Sequence, residues 1–385
     1  MIWLKKLDIV NKKALFLLVS GLLVFFTSLI WLFLKTQYFS FQKINIKVNN
    51  QNKFLIPLSP TKSPRIEIES IFHYHNPQEF IKKEDDPIDN QEIRLIATGD
   101  VIPARSVNYQ SVKRQDFRYP FLKTLELLNS ADILFINLES PLVPKCPTTV
   151  EGMIFCGDEK TVEGFKFAHI GVANLANNHL GNYGNEGIDN TIMLLEKNNI
   201  LVTGINGKQT ILTVKGKKFG FLGYNDIEKN NRLKISLADP DKIATEVALL
   251  KKDTDYVIVT FHWGIEYTSN PTPLQKELAH AAIDAGADLI IGNHPHWVQG
   301  IEIYKNKFIS YAHGNFIFDQ MWSQETREGV VGKYIFGSNG LQDVSYFPVI
   351  IDNYSQPRFA TEKEAEKILE RMDRSSKQIL LDNRM

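Results

Sequence analysis

Six short apolar runs in this chain each lead into residues that hold metal ions or carry protons. Ile93–Ala97 leads into Thr98-Gly99-Asp100, the run DILFI into Asn137-Leu138-Glu139, and VANLA into Asn177-Asn178-His179. YVIVTF is followed by His262-Trp263-Gly264-Ile265-Glu266, DLIIG by Asn293-His294-Pro295-His296, and FISYA by His313-Gly314-Asn315. Carboxylates and neutral imidazoles hold divalent cations, and a bridging carboxylate could hold two ions about 3.5–4 Å apart. Such ions lower the pKa of a bound water and neutralise charge on a phosphoryl or acyl oxygen, which is the chemistry of a hydrolytic site. In His294-Pro295-His296 the proline restricts the backbone, and two imidazoles one residue apart can flank one metal cluster. Taken singly, a strand-end Asp is commonly a helix cap and a lone His a packing residue. Their joint placement points to one or two divalent ions, with Mn, Zn or Fe suited to the mixed oxygen and nitrogen donors.

The elements that must position these residues follow from the spacing. The apolar runs read as buried strands, and the helical patterns PFLKTLELLNS, NEGIDNTIMLLEKNN and TPLQKELAHAAIDAGA separate several of them. Strands alternating with helices argue for an α/β domain, in which ligands bind outside the carboxyl ends of the strands. The domain is expected over residues 92–355. A charged tail at 356–385 follows, with Ala365, Ile368, Leu369, Met372 and Ile379 at helical spacing against the domain or a partner. Residues 35–91 carry polar and Pro-containing stretches and read as a stalk or linker; His73 and His75 would share a strand face there, with no third ligand nearby.

The chain has 385 residues, 43% apolar and 23% charged, which fits a globular protein. Its 44 basic and 44 acidic side chains balance, so the basic excess of a nucleic-acid binder is missing and no such partner is expected. One asymmetry stands at the start: Ala14–Leu34 holds no charged residue and is bracketed by Lys12, Lys13 and Lys35. At about 1.5 Å per residue that run covers the roughly 30 Å hydrocarbon core of a bilayer. A cleaved signal peptide would have a shorter apolar region and a small-residue cleavage site, and Trp31-Leu32-Phe33-Leu34-Lys35 offers none. The expected topology is residues 1–13 in the cytoplasm, one span at 14–34, and the rest outside the cell. Cys146 and Cys156 lie in one loop-like stretch at a spacing a disulfide could close in an oxidising compartment; two unrelated thiols are the alternative.

The motifs GDVIPAR, NLESPL, LANNHLGNYGNEG, HWGIEY, GADLIIGNHPHWVQGIE and YAHGNFIFD, in that order from about Ile93 to Asp319, resemble the CapA capsule-synthesis family. These are also called poly-γ-glutamate synthesis proteins. The resemblance implies an α/β sandwich of calcineurin-like metallophosphoesterase type, mixed sheets flanked by helices, behind an N-terminal transmembrane helix. It further implies Asp100 and Glu139 as carboxylate ligands, Glu139 bridging, with Asn178, His262, His294 and His296 completing the metal shells. His179 resembles the histidine that protonates a leaving group, and Glu266 would orient a ligating histidine or act as a base. Arg105 would bind an anionic substrate, with a surface salt bridge as its alternative role. Two departures stand out: Asp100-Val101-Ile102 lacks the histidine of an Asp-x-His opening, and Asn182 stands where an acidic residue is common. His280 is expected at the surface and His169 in a structural role.

Three functions compete on these grounds. The first is an anchored protein of a membrane polymer-synthase complex, acting on an anionic surface polymer, poly-γ-glutamate by resemblance. The second is a metal-dependent phosphoesterase acting on a small or lipid-linked phosphate ester. The third is a non-catalytic polymer-binding subunit; the presence of His179 beside the other site residues favours chemistry over a dead scaffold.

Overall fold

Strands buried on both faces build two sheets face to face. The first sheet takes β1 (Ile93–Val101), β2 (Ile133–Leu138), β3 (Val172–Asn174) and β4 (Leu201–Thr203), all parallel. The chain then forms a six-stranded second sheet from β5 (Thr210–Val214), β6 (Lys217–Asn225), β7 (Tyr256–His262), β8 (Leu289–Asn293), β9 (Ile301–Tyr304) and β10 (Lys307–Ser310). It returns to the first sheet with β11 (Asn315–Ile317), parallel to β1, and with antiparallel β12 (Glu328–Gly337), β13 (Gly340–Asp352) and β14 (Gln356–Phe359). Strand orders are β14-β13-β12-β1-β2-β3-β4 and β9-β10-β8-β7-β6-β5. This computed structural model describes residues 71–77, 92–227 and 229–383.

One apolar cluster fills the space between the sheets, with Leu95, Phe135 and Val172 from the first and Phe221, Ile258 and Ile291 from the second. The alternate residues point the other way. Ile96, Leu134 and Ala173 pack under the helices Thr161–Phe167 and Gly184–Lys197. Val257, Val259 and Ile290 pack under Pro240–Leu250 and Pro273–Asp284. Central strands buried on both faces read as continuous apolar runs, which is why period-two alternation is not visible in the sequence there. The mixed sheets flanked by helices agree with the expected architecture.

All six apolar runs form strands. The long β12–β13 hairpin and strands β5 and β6 were not among them. Their segments, such as GVVGKYIFG and KKFGFLGYN, mix Gly and Lys into the apolar run, and it is pairing with neighbouring strands that makes them strands.

Residue 355 is not a boundary: β14 extends the first sheet, and the helix Glu362–Asp382 that follows buries Ala365, Ile368, Leu369, Met372 and Ile379 against the domain. Ser375 and Ser376 of that helix accept hydrogen bonds from the backbone N–H groups of Gly300 (3.0 Å) and Ile301 (2.9 Å), covering the edge strand β9. Part of the expected stalk also belongs to the fold, since Ile71 is buried in the inter-sheet cluster with Phe72 and Tyr74 packed against it. The segments expected in the cytoplasm (1–13) and as the anchor (14–34) lie outside the described residues. Among the described residues no helix is long and apolar enough to cross a membrane.

The terminal helix is held at its start by charge. Thr361 and Glu364 form a capping box, and Glu364 takes Arg358 through both carboxylate oxygens at 2.8 and 2.9 Å. The Arg358 hydrogen bonds hold the Glu364 carboxyl down at about 2. A carboxyl with a depressed folded-state pKa contributes stability above its unfolded value and loses it as pH falls through the folded one. Glu364→Gln should therefore lower stability at neutral pH and flatten the acid-side decline between about pH 4.5 and about pH 2. Urea unfolding across that range would show it; parallel curves for parent and variant would contradict it.

Candidate metal centre

The inner faces of the two sheets carry polar residues just beyond the apolar core. On the first sheet Asp100, Asn137 and Asn174 are in register, and on the second Asn225, His262 and Asn293 are in register. Residues two apart share a face, so Asn137 follows Phe135, Asn174 follows Val172, and Asn293 follows Ile291. Asp100 reaches the inner face by a different route. The pairing of β1 with β2 slips by one residue between Ala97 and Asp100, a bulge that turns Asp100 to the side Ala97 occupies. Gly99 lets the chain pass there, because a Cβ would sit 2.2 Å from the Gly314 carbonyl oxygen.

Loops after the strands complete the cluster. His262 Nε2 lies 2.7 Å from Asn178 Oδ1, 3.1 Å from His294 Nδ1 and 3.4 Å from Glu139 Oε1. His296 Nδ1 lies 3.3 Å from Asp100 Oδ2 and 2.9 Å from Asn315 Oδ1. Asn137 Nδ2 donates to Asp100 Oδ1 at 2.8 Å and stands 3.2 Å from His262 Nδ1, while Asn174 Nδ2 donates to Asn137 Oδ1 at 2.8 Å. His294 and His296 both have positive φ, 97° and 56°. That backbone costs about 1–3 kcal/mol per residue and persists where the surrounding fold enforces it.

Three ligand groups have their candidate donor atoms within 4.8 Å of one another: Asp100, Glu139 and His296; Glu139, His262 and His294; and Glu266, His294 and His296. Glu139 belongs to the first two, as a bridging carboxylate would. Both of its oxygens are buried without a hydrogen-bond partner. An orphaned buried carboxylate is costly, and a cation is the natural partner for it. The electrostatics agree. Burial and the neighbouring Asp100 push the Glu139 carboxyl well up, while burial holds His262 down at about 3 and His294 well below the usual imidazole range. Neutral imidazoles are the form that binds metal. His296 goes the other way: burial opposes its charge, but Glu139 and Asp100 outweigh burial and raise it to about 9. Asp100 would be raised by burial, yet its hydrogen bond to His296 and the charge there hold it low. The residues present fit a divalent ion.

His179 sits beside this cluster, its ring stacked on Phe155 at 4.0 Å between centroids. Asn182 Oδ1 accepts the Phe155 backbone N–H at 2.6 Å and lies 3.0 Å from His179 Nδ1. An oxygen already accepting that N–H faces Nδ1 as an acceptor, so the proton sits on Nδ1 and Nε2 is left free. Burial lowers His179 to about 4. Phe155 is placed by the Cys146–Cys156 disulfide next to it, which closes a loop with Cα atoms 5.9 Å apart.

Arg105 lines the same cleft, of about 410 Å3, together with His179, Glu266 and His296. Its guanidinium pairs with Asp319, donates to the Gly152 carbonyl at 3.2 Å, and lies over the rings of Phe155 and Phe318. His313 stays out of the cluster, 2.9 Å from the Tyr334 hydroxyl, and Asn315 from the same strand end enters instead. His280 is half-buried on Glu302 at 3.0 Å, away from the centre, and His169 is exposed with φ 57°. Asn137 and Asn315 are the positioning residues the sequence reading passed over, although both stand in the strand-end motifs. Phe155 carried no signal, because only the folded disulfide loop brings it to His179.

Glu139 gives a direct test. At a metal concentration about 100 times the Kd, the parent should gain about 2.7 kcal/mol in unfolding free energy. Glu139→Gln should lose most of that gain while the metal-free variant stays at least as stable as the metal-free parent, since no charge is left to desolvate. An undiminished metal effect in the variant would remove Glu139 from the centre.

The family model for bacterial capsule synthesis protein PGA_cap matches residues 94–320. The chain is 30% identical over 288 residues to the capsule biosynthesis protein CapA of Bacillus anthracis, covering 69% of each chain. It is 34% identical over 207 residues to the PGA biosynthesis protein CapA of Bacillus subtilis, covering 50% of this chain and 54% of that one. A solved phosphatase from Mycoplasma pneumoniae aligns over 69% of this chain and 95% of its own, at 15% identity and a TM-score of 0.46, a likeness that by itself says nothing of function. With the model spanning more than half of its length and the strand-end motifs gathered into one centre, the chain belongs to the bacterial capsule synthesis protein family PGA_cap.

Proposed function

We propose that this protein acts in the synthesis of an anionic capsule polymer, poly-γ-glutamate, through a hydrolase-type divalent-metal site. It is held outside the cell by its N-terminal span and works beside a membrane synthase complex. The observation that carries the site is Glu139, shared by two ligand groups with both oxygens buried and without a hydrogen bond. The likeness to the Bacillus capsule and PGA biosynthesis proteins supports the capsule role. The placement of His179, stacked on Phe155 and hydrogen-bonded to Asn182, supports a catalytic reading over a purely structural one.

Asp100, Glu139, Asn178, His262, His294 and His296 would hold one or two ions, Mn, Zn or Fe by donor type. Such ions supply a lowered water pKa and a counter-charge for a phosphoryl or acyl oxygen. The chain's own residues do the rest. His179, held by Asn182 and Phe155, presents an unprotonated Nε2 that would take a proton from the attacking water and pass it to the leaving oxygen. Glu266, half-buried between His294 and His296, completes the third ligand group or accepts a proton. Phe155 and Phe318 give the cleft an apolar wall.

His179→Ala should keep the metal and the fold and lose roughly 10²–10⁴-fold in rate on a phosphate ester, or lose surface polymer in cells. His294→Ala with His296→Ala should abolish metal binding and leave the sheets folded. Elemental analysis, ester hydrolysis and surface polymer measured on the same variants decide it; normal polymer with no hydrolysis even by the parent would leave only a binding role. The anchored topology has its own check. Protease added to intact cells should degrade the domain and spare an N-terminal tag, whereas full protection of the domain would overturn it.

A further inference from the structure

The cleft beside the metal centre is poor in positive charge. Arg105 is the one Lys or Arg among its described lining residues, and Asp319, the Gly152 carbonyl and two aromatic rings already engage it. The other charged side chains of the wall, besides the site's own histidines, are Glu151 and Glu266, both acidic. A run of carboxylates laid along this cleft would find no free cation outside the centre itself and would face two acids. Only a single anionic group, at the centre, has a partner.

The mouth is apolar instead. On the disulfide loop Met153 is 67% exposed and Ile154 72%, and across the opening Trp322 is 61% exposed, set edge-on against Tyr267 at 4.8 Å. Large side chains left this open around a cleft mark a surface that something apolar covers. The space also continues. A second hollow of about 370 Å3 runs along the same loop and shares Arg105, Glu151, Gly152 and Met153 with the first.

We infer that the cleft takes an amphiphile, with one phosphate-type head at the metal centre and an uncharged apolar body lying along the disulfide loop and Trp322. The inference rests on the metal-centre reading above and narrows its substrate. The polymer chain itself is not what lies in the cleft; a phosphate ester with an apolar tail is.

Calorimetric titration of the full-length, Mn-loaded protein with ethyl phosphate, hexyl phosphate and a γ-glutamyl oligomer tests this. Hexyl phosphate should bind about tenfold or more tighter than ethyl phosphate, as partial burial of four added methylenes requires. Trp322→Ala with Met153→Ser, both at exposed positions, should bring that ratio close to one, and Trp322→Phe should keep most of it. A ratio near one in the parent, or oligomer binding that tightens with its length, overturns the amphiphile while leaving a metal-loaded centre in place. Elemental analysis of the same sample separates the other failure: a parent without metal removes the centre and this inference together.

Discussion

The candidate site depends on a buried carboxylate–imidazole cluster at the seam where two sheets end. The inner faces that pack Phe135 against Phe221 and Ile258 continue, two residues further on, as Asn137, Asn174, His262 and Asn293. Burial there is as complete as in the core, so each charge must find a partner within the protein or from a bound cation. Asp100 and His296 answer each other. Glu139 is answered by no hydrogen bond, and that unbalanced carboxyl is what fits the cluster to a cation.

Amide side chains tune that centre. Asn137, Asn178, Asn182 and Asn315 each touch a site histidine. An amide orients an imidazole without adding charge, so the imidazoles of His179, His262 and His294 stay neutral under burial. A carboxylate in the same places would favour their protonated forms. The cluster thus pairs a charged His296 with Asp100 and keeps the nitrogens of His179, His262 and His294 neutral.

The disulfide loop links the centre to the cleft. Closing Cys146 on Cys156 fixes Phe155, whose ring supports His179 and carries the Arg105 guanidinium over it. The same loop exposes Met153 and Ile154 at the mouth. One short loop therefore sets both the position of the His179 side chain and the apolar character of the entrance.

The sequence by itself determined six of the strands and the polar residues at their ends, because apolar runs long enough to cross a buried sheet can be read locally and the polar residues after them stand in plain order. It also singled out Asp100, Glu139, His262, His294 and His296 as a group. Only the tertiary structure decided how they meet. The bulge that turns Asp100 inward is a matter of register between two strands, which no single segment encodes. The choice of Asn315 over His313 depends on which side chain faces the seam once β11 pairs with β1, and the partnering of His179 by Phe155 depends on a loop closed across ten residues. The C-terminal segment, legible as an amphipathic helix, became part of the domain because its buried face and its serines cover a sheet edge that exists only after folding.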